Sequence, residues 1–165
     1  MSWRSAVQRM AAASWFAKVG PYVAPRLDRS VNWLTRGRVM PSALYQPALF
    51  LTTTGSKSGL PRRVPLAYMP DGDRFVLLGS NFGREHHPAW SSNLLANPEA
   101  TVEVKSTTIP VRARLATAEE RAAMWPRVLK TWPAFDTYKE RSGRDIRLFI
   151  LERHEDAGRG REARA

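Results

Sequence analysis

The alternation of apolar and polar positions along the chain predicts a domain built mainly from β-strands. In residues 109–115, apolar side chains alternate with proline and arginine at a period of two, which is typical of a strand with one buried face. Residues 75–79 are nearly all apolar, which indicates a strand buried on both faces. Further strands are predicted at residues 47–54, 62–69, 101–105 and 146–151.

Two helices are marked by the residues at their ends. Pro88 suits the first turn of a helix predicted over residues 87–96, because the N–H that proline lacks has no partner in the first turn. Thr117 and Glu120 form the pattern of a capping box, so a second helix is predicted from there to about residue 130. An aromatic segment follows it.

These elements predict the fold class. About six strands, with one helix between the third and the fourth, fit a small antiparallel barrel better than βαβ units. The protein is therefore predicted to be mainly β with flanking helices (α+β). Its 165 residues are near the size of one domain, which we place at residues 21–152. The charged residues 153–165 are predicted to be a disordered tail.

Residues 1–20 are predicted to form a cationic amphipathic helix. Trp3, Val7 and Met10 recur at helical spacing, and the basic residues lie mostly elsewhere around the helix. The segment lacks the roughly 20 consecutive apolar residues of a membrane-spanning helix. Two interpretations stay open, since such a helix can pack on the protein's own core or lie on an anionic membrane surface.

The amino-acid composition limits the kinds of functional site that the protein can have. The chain has no cysteine, which excludes disulfides, thiol nucleophiles and cysteine-based metal sites. His86 and His87 are adjacent but have no third ligand nearby in the sequence, so no metal site is predicted. The net charge of +11 favours an acidic partner, which could be nucleic acid, anionic lipid or a polyanionic small molecule. No nucleic-acid motif is present, so nucleic acid is not expected.

A basic loop between two predicted strands, within residues 52–66, is the strongest candidate for an anion site. Gly55 and Gly59 allow a backbone geometry that a β-carbon would oppose. The loop offers amides and cations that suit a phosphate or a carboxylate, on Ser56, Lys57, Ser58, Arg62 and Arg63. It is not a Walker A motif, because serine stands directly before the lysine. A solvated hairpin loop is the alternative.

Four segments in register carry a resemblance to a known family. They are LTTTGSKSGLPRRVPL, PDGDRFVLLGSNFG, HPAWSSNLLANPEATVEV and IPVRARLATAEERAAMWPRV, within residues 27–152. The chain resembles the deazaflavin-dependent nitroreductase family, actinobacterial enzymes that use coenzyme F420 (8-hydroxy-5-deazaflavin). The resemblance implies the split β-barrel of flavin reductases and pyridoxamine oxidases. It also implies hydride transfer from reduced coenzyme F420 to an electron-poor small molecule, namely a quinone, an enone or a nitro compound.

The same resemblance implies which residues form the site. The coenzyme's phosphate, tail and one ring edge would be held by Ser56, Lys57, Ser58, Arg62, Arg63, Val64, Pro65, Leu66 and Ala67. The ring slot would be completed by Leu78, Gly79, Ser80, Asn81, Ala89, Trp90, Ser91, Ser92 and Asn93. The substrate pocket would be Trp132, Phe135 and Tyr138, where the best-known nitroreductase of the family has three tyrosines. Ser80 and Tyr138 are then the candidate donors of a hydrogen bond or a proton.

Two other functions remain open at this point. The same barrel could bind flavin mononucleotide (FMN) in place of the deazaflavin. The protein could also be a basic, non-catalytic binder of a membrane or of nucleic acid. We expect a cytoplasmic protein, with possible peripheral association on the cytoplasmic face of an anionic membrane through residues 1–20.

Overall fold

The computed structural model describes residues 46–154 without interruption and, before them, residues 19, 22–23, 26–28, 30–31 and 33–34. The described residues before position 46 are helical. Most of the predicted N-terminal helix and most of the predicted tail lie outside the described residues. Arg153, which we assigned to the tail, belongs to the last strand.

One antiparallel sheet of seven strands forms the body of the protein, in the order β2-β1-β5-β6-β7-β4-β3. The strands are β1 (Ala48–Thr54), β2 (Pro61–Ala67), β3 (Met69–Asp71), β4 (Arg74–Leu78), β5 (Glu99–Val104), β6 (Thr107–Leu115) and β7 (Leu148–Arg153). The two edge strands, β2 and β3, are separated in the chain by Tyr68 alone. The sheet must therefore curl until its edges meet at this residue. This is the split-barrel architecture, so the predicted fold class is confirmed.

The strand predicted over residues 62–69 is in fact two strands. Ala67 pairs with Ala48 of β1, whereas Met69 pairs with Val76 of β4. Between them, the Tyr68 amide leaves both ladders and donates a hydrogen bond to the Pro47 carbonyl over 3.0 Å. A local apolar pattern cannot show this change of partner, because both halves satisfy it.

Within residues 46–154, three α-helices flank the sheet: α1 (Ala89–Ala96), α2 (Ala118–Thr131) and α3 (Ala134–Ser142). The predicted capping box of α2 is present, since the Glu120 amide donates to Thr117 Oγ1 and the Thr117 amide donates to Glu120 Oε2. Helix α3 was not predicted. It carries the aromatic segment and places Phe135 and Tyr138 one turn apart.

The sheet buries apolar side chains on both faces. One face packs Leu77, Val102 and Phe149 against Trp90 and Leu94 of α1. The opposite face packs side chains of β3, β4 and β7 against α2, through Met69, Val76, Met124, Val128, Leu148 and Ile150. Val76 and Leu77 are adjacent in β4 and both fully buried, so the prediction of a strand covered on both faces is confirmed.

An ion-pair network fixes the start of α2 on the sheet. The Arg114 guanidinium of β6 donates to both carboxylate oxygens of Glu120, over 2.7 and 2.8 Å, and also to Glu152 of β7. Because Arg114 hydrogen-bonds its charged form, the pKa of Glu120 falls to about 2. The network thus helps to set the orientation of α2, whose last turn borders the candidate site described below.

Candidate functional site

Both glycines of the basic loop are required by its geometry. Gly59 has φ +67°, in the left-handed region that side chains disfavour. Gly55 is restricted by space, because a β-carbon there would lie 2.6 Å from Ser58 Oγ and 3.2 Å from the Leu60 carbonyl oxygen. The Gly59 amide donates to the Gly55 carbonyl over 2.8 Å, which closes the turn.

Asn93 of α1 attaches this loop to the body of the protein. Its Oδ1 accepts a hydrogen bond from the Ser56 amide over 3.0 Å, and its Nδ2 donates to Thr53 Oγ1 over 3.0 Å. Asn93 is buried, at 6% exposure. The Ser56 amide is thus already engaged, whereas the described residues supply no acceptor for the amides of Lys57 and Ser58. The predicted nest therefore offers two amides to a ligand.

Arg62 and Arg63 lie on opposite faces of the sheet, because neighbouring residues of a strand alternate. Arg62 pairs with Thr53 in the register of β1 and β2, and its Nη2 donates to Ser58 Oγ over 3.2 Å. It therefore faces the basic loop. Neither Arg62 nor Lys57 has a carboxylate partner within the part of the chain that the structure describes.

Arg63 is engaged elsewhere. Its Nη2 donates to Glu103 Oε2 over 2.9 Å, and its guanidinium carbon lies 3.5 Å from the centre of the Phe50 ring. A cation held by a carboxylate and by an aromatic face has less charge to offer a ligand. The two arginines that the sequence analysis grouped together are therefore unequal.

A small apolar depression lies where α2 and α3 meet the edge of the sheet. Ala67 and Leu78, which we assigned to the coenzyme, border it together with Trp132 and Phe135, which we assigned to the substrate. Five residues that we did not predict complete the lining: Gln46, Tyr68, Met69, Val128 and Thr131. No local pattern joins the α2 and α3 residues of this lining, because the helical period is interrupted at Trp132 and Pro133.

Two of the predicted aromatic residues lie in the core instead of lining this depression. Tyr138 is 3% exposed and packs edge-to-face on Phe135, with ring centres 5.9 Å apart. Trp90 is 7% exposed and packs on Phe149 at 5.7 Å. Tyr138 thus supports Phe135, which lines the depression, whereas Trp90 belongs to the core on the other face of the sheet. Contact of either side chain with a ligand remains a prediction.

Arg144 organises the loop of residues 79–87, which follows β4. Its Nη2 donates to the carbonyl oxygens of Gly79 and Ser80, over 3.0 and 2.9 Å, and its Nε donates to the Arg84 carbonyl over 3.1 Å. Its Nη1 lies 2.9 Å from His87 Nδ1. No local pattern marks this residue, because its partners are 57–65 positions away in the chain.

The loop that Arg144 holds has a strained backbone. Asn81 and Phe82 have φ values of 49° and 57°; asparagine adopts this left-handed geometry readily, whereas for phenylalanine it costs about 1–3 kcal/mol. Gly83 follows, and a β-carbon there would lie 3.3 Å from the Cα of Tyr138, so the loop rests directly on α3. Strain of this kind persists only where surrounding contacts fix the conformation.

The surroundings of His87 favour its neutral ring. Burial is the first cause that lowers its pKa, and the neighbouring positive charges of Arg144 and Arg147 add to it. Because a guanidinium can only donate, Nδ1 of His87 must be the acceptor of the Arg144 hydrogen bond. The ring proton is therefore on Nε2.

Comparison with known proteins assigns the chain to a family. The family profile described as F420H(2)-dependent quinone reductase matches residues 26–153. The chain is 31% identical over 134 residues to the F420H(2)-dependent quinone reductase Rv1261c of Mycobacterium tuberculosis, covering 78% of this chain and 89% of that protein. It is 34% identical over 105 residues to Rv3178 of the same organism, covering 64% and 88%.

A solved structure agrees with this assignment. The F420-H2 dependent reductase FDR-A matches with a TM-score of 0.59 at 34% identity, covering 64% of this chain and 94% of that one. The predicted resemblance to deazaflavin-dependent reductases is thereby confirmed. The chain belongs to the F420H(2)-dependent quinone reductase family.

Proposed function

We propose that this protein is an oxidoreductase that transfers a hydride from reduced coenzyme F420 to a quinone-type small molecule. The observation that carries the proposal is the arrangement along β2. Arg62 lies at its start and Lys57 in the loop before it, neither with a carboxylate partner among the described residues, and Ala67 lies at its end beside the apolar depression. At about 3.3 Å per residue, the strand separates Arg62 from Ala67 by about 16 Å. Arg62 and Ala67 face opposite sides of β2, which is an edge strand, so an elongated ligand with an anion at one end and a flat ring at the other would reach both places by passing over this edge of the sheet.

The residue types present suit the parts of that coenzyme, but the depression encloses only about 20 Å³, so the ring would enter it after neighbouring side chains move apart. The amides of Lys57 and Ser58, with the two cations, would hold its phosphate, and Ala67 and Leu78 would contact its ring. Ser56 would contribute through its hydroxyl, because Asn93 holds its amide, and Arg63 would have to leave Glu103. When bound, the reduced coenzyme supplies the hydride, so the protein's own tasks are to bind, orient and exclude water. No residue nucleophile is needed.

The alternatives have less support. FMN also carries a phosphate that the loop could hold, but the family to which the chain belongs is described by its use of F420H(2). A purely non-catalytic binding protein is disfavoured for the same reason. Both are tested by incubating the protein with F420 and with FMN and measuring which one co-purifies by its visible absorbance.

The activity is tested by mixing reduced coenzyme F420 with a naphthoquinone and catalytic amounts of protein. Oxidised coenzyme should appear in proportion to the protein present. Parallel reactions with an enone and with a nitroimidazole rank the acceptors. If the quinone reaction runs no faster than in the absence of protein, the proposed function is wrong.

Lys57 and Arg62 would together hold the coenzyme's anionic part, and we call this pair the clamp. Lys57→Ala and Arg62→Ala should each weaken binding of oxidised F420 by about 1.5–3 kcal/mol, the usual contribution of a hydrogen bond to a charged group. Arg63→Ala is the matched control, since Glu103 already neutralises that cation. Fluorescence titration at low salt measures all three. Equal losses in the three variants, or none in the first two, would remove the clamp.

We also propose peripheral association with an anionic membrane surface, for a protein located in the cytoplasm. The described part of the chain contains no helix long and apolar enough to cross a bilayer. It does expose large apolar side chains before the sheet, including Trp33 at 82% and Leu34 at 75%, in a chain with a net charge of +11. Apolar groups beside cations suit an anionic lipid surface.

Vesicle sedimentation tests this association. The full chain should sediment with anionic vesicles and remain in solution with zwitterionic ones. A variant that begins at residue 21 should still bind coenzyme and should sediment less, because it loses the predicted amphipathic helix and keeps Trp33 and Leu34. Full-length protein that stays in the supernatant with anionic vesicles contradicts the association. A truncated variant that sediments equally well contradicts the role of residues 1–20.

A further inference from the structure

The contacts around His87 leave one hydrogen-bond donor uncommitted. Arg144 holds Nδ1, and no described residue accepts a hydrogen bond from Nε2. The two cations beside the ring, Arg144 and Arg147, have no carboxylate partner among residues 46–154; their hydrogen bonds go to carbonyl oxygens, to His87 and to the Ser91 hydroxyl. A neutral N–H donor therefore stands in a positively charged surrounding.

His87 lies beside the two stretches that we assigned to the ring slot, and it is not among the residues that line the apolar depression. The next residue, Pro88, lies against Gly79, since a β-carbon on Gly79 would be 3.7 Å from Pro88 Cδ. The Gly79 amide is itself fixed by the Arg147 carbonyl over 2.8 Å. His87 thus stands between the two stretches assigned to the ring slot, residues 78–81 and 89–93. Through Arg144 it is connected to the carbonyls of the first of them.

We propose that His87 is a catalytic residue that donates a hydrogen bond from Nε2–H to the acceptor oxygen that becomes negative during reduction, and that Arg144 is its positioning residue. The inference rests on the proposed function, because it names a residue for that reaction. It adds a donor beyond Ser80 and Tyr138.

The charge balance of the reaction explains why a donor is useful there. A quinone that receives a hydride gains two electrons and one proton, and its oxygen carries one negative charge until a proton from water completes the hydroquinone. A neutral imidazole can stabilise that oxygen by hydrogen bonding without losing its own proton. The adjacent guanidinium charges of Arg144 and Arg147 stabilise the same negative charge, and they need not move to do so.

Two isosteric substitutions separate this role from a structural one. In His87→Asn the amide oxygen can replace Nδ1 as acceptor for Arg144, but the distal donor is lost. In His87→Gln the amide N–H₂ can reach the position of Nε2. His86→Asn is the control, because the His86 side chain is exposed and has no hydrogen bond recorded within residues 46–154.

We expect His87→Asn to lower kcat with a naphthoquinone on the order of 10²-fold, as for loss of one oxyanion donor. Its Kd for oxidised F420 should be unchanged. His87→Gln should retain most of kcat, and His86→Asn should match the parent. Unchanged kcat in His87→Asn overturns the proposal. Equal loss in both His87 variants also overturns it, since the fold and not the donor would then be responsible.

A measurement without coenzyme or acceptor tests the tautomer. Nitrogen-15 NMR of histidine side chains in the coenzyme-free protein should show His87 as the Nε2–H form at neutral pH. In Arg144→Met that preference should disappear. An Nδ1–H form in the parent protein sinks the inference whatever the kinetics show. If instead the tautomer is as expected but the parent oxidises no reduced coenzyme, the proposed function has failed, and the catalytic role of His87 fails with it.

Discussion

Arg144→Met should destabilise the protein by about 3 kcal/mol, because it removes the donor from three carbonyl oxygens at once. An unsatisfied buried acceptor costs about 1–3 kcal/mol, and the lower end applies here since the loop is only partly buried. The carbonyls are those of Gly79, Ser80 and Arg84. The strained backbone at Phe82 would lose its support in the same step.

Urea unfolding measures this loss directly. Arg112→Met is the matched control, because Arg112 forms an exposed ion pair with Glu99, and such pairs contribute about 0–1 kcal/mol. Arg144→Met should also weaken coenzyme binding, since Gly79 and Ser80 border the proposed slot. If Arg144→Met and Arg112→Met lower the free energy of unfolding by the same amount, the contacts of Arg144 do not stabilise the loop of residues 79–87 as we expect.

The elements predicted well were those with a complete local signal. The alternation in residues 109–115 and the capping box at Thr117 each specify their element through neighbours in the chain. Strand β3 and helix α3 lack such a signal. The first is three residues long and is defined by its pairing with β4, and the second begins after Trp132 and Pro133 and is mostly polar.

The features of the site also fall into those with a local signal in the sequence and those without one. The need for Gly55 and Gly59 follows from loop chemistry, but the engagement of Ser56 by Asn93 spans 37 positions and leaves no local trace. The different surroundings of Arg62 and Arg63 were predictable, because neighbouring side chains of a strand over residues 62–69 lie on opposite faces of the sheet. The contacts of Arg144 could not be predicted from the sequence, because they depend on how the segment between α3 and β7 packs against the loop that follows β4.

Acceptor choice should depend on what Trp132 and Phe135 offer the depression that they line. Tryptophan can donate only through its indole nitrogen, and phenylalanine cannot donate at all. The resemblance implies tyrosines at the corresponding positions of the best-known nitroreductase of the family. Tyr138, the remaining tyrosine of that set, is 3% exposed. Among the described residues that line the depression, Tyr68 alone carries a phenol, and burial raises its pKa, which makes it a weaker acid. We therefore expect the parent protein to reduce nitroimidazoles weakly or not at all.

Restoring both phenols should raise nitro reduction. General-acid assistance contributes about 10²–10⁴ in rate, so the double variant Trp132→Tyr/Phe135→Tyr should gain up to that factor with a nitroimidazole. Quinone turnover should change much less, because the reduced quinone oxygen can take its proton from water. Both reactions are measured with the same reduced coenzyme, and each single variant is included.

The control must separate the hydroxyl groups from a change in packing. Trp132→Phe with the native Phe135 reduces the volume of the pocket wall without adding a donor, so it should leave nitro turnover low. Urea unfolding of each variant shows whether the cluster with Tyr138 and Ile146 is intact. Nitro reduction by the parent as fast as quinone reduction would contradict this account. A double variant that folds normally but reduces nitroimidazoles no faster than the parent would also contradict it. The proton donor for both classes of acceptor would then have to be another residue or water.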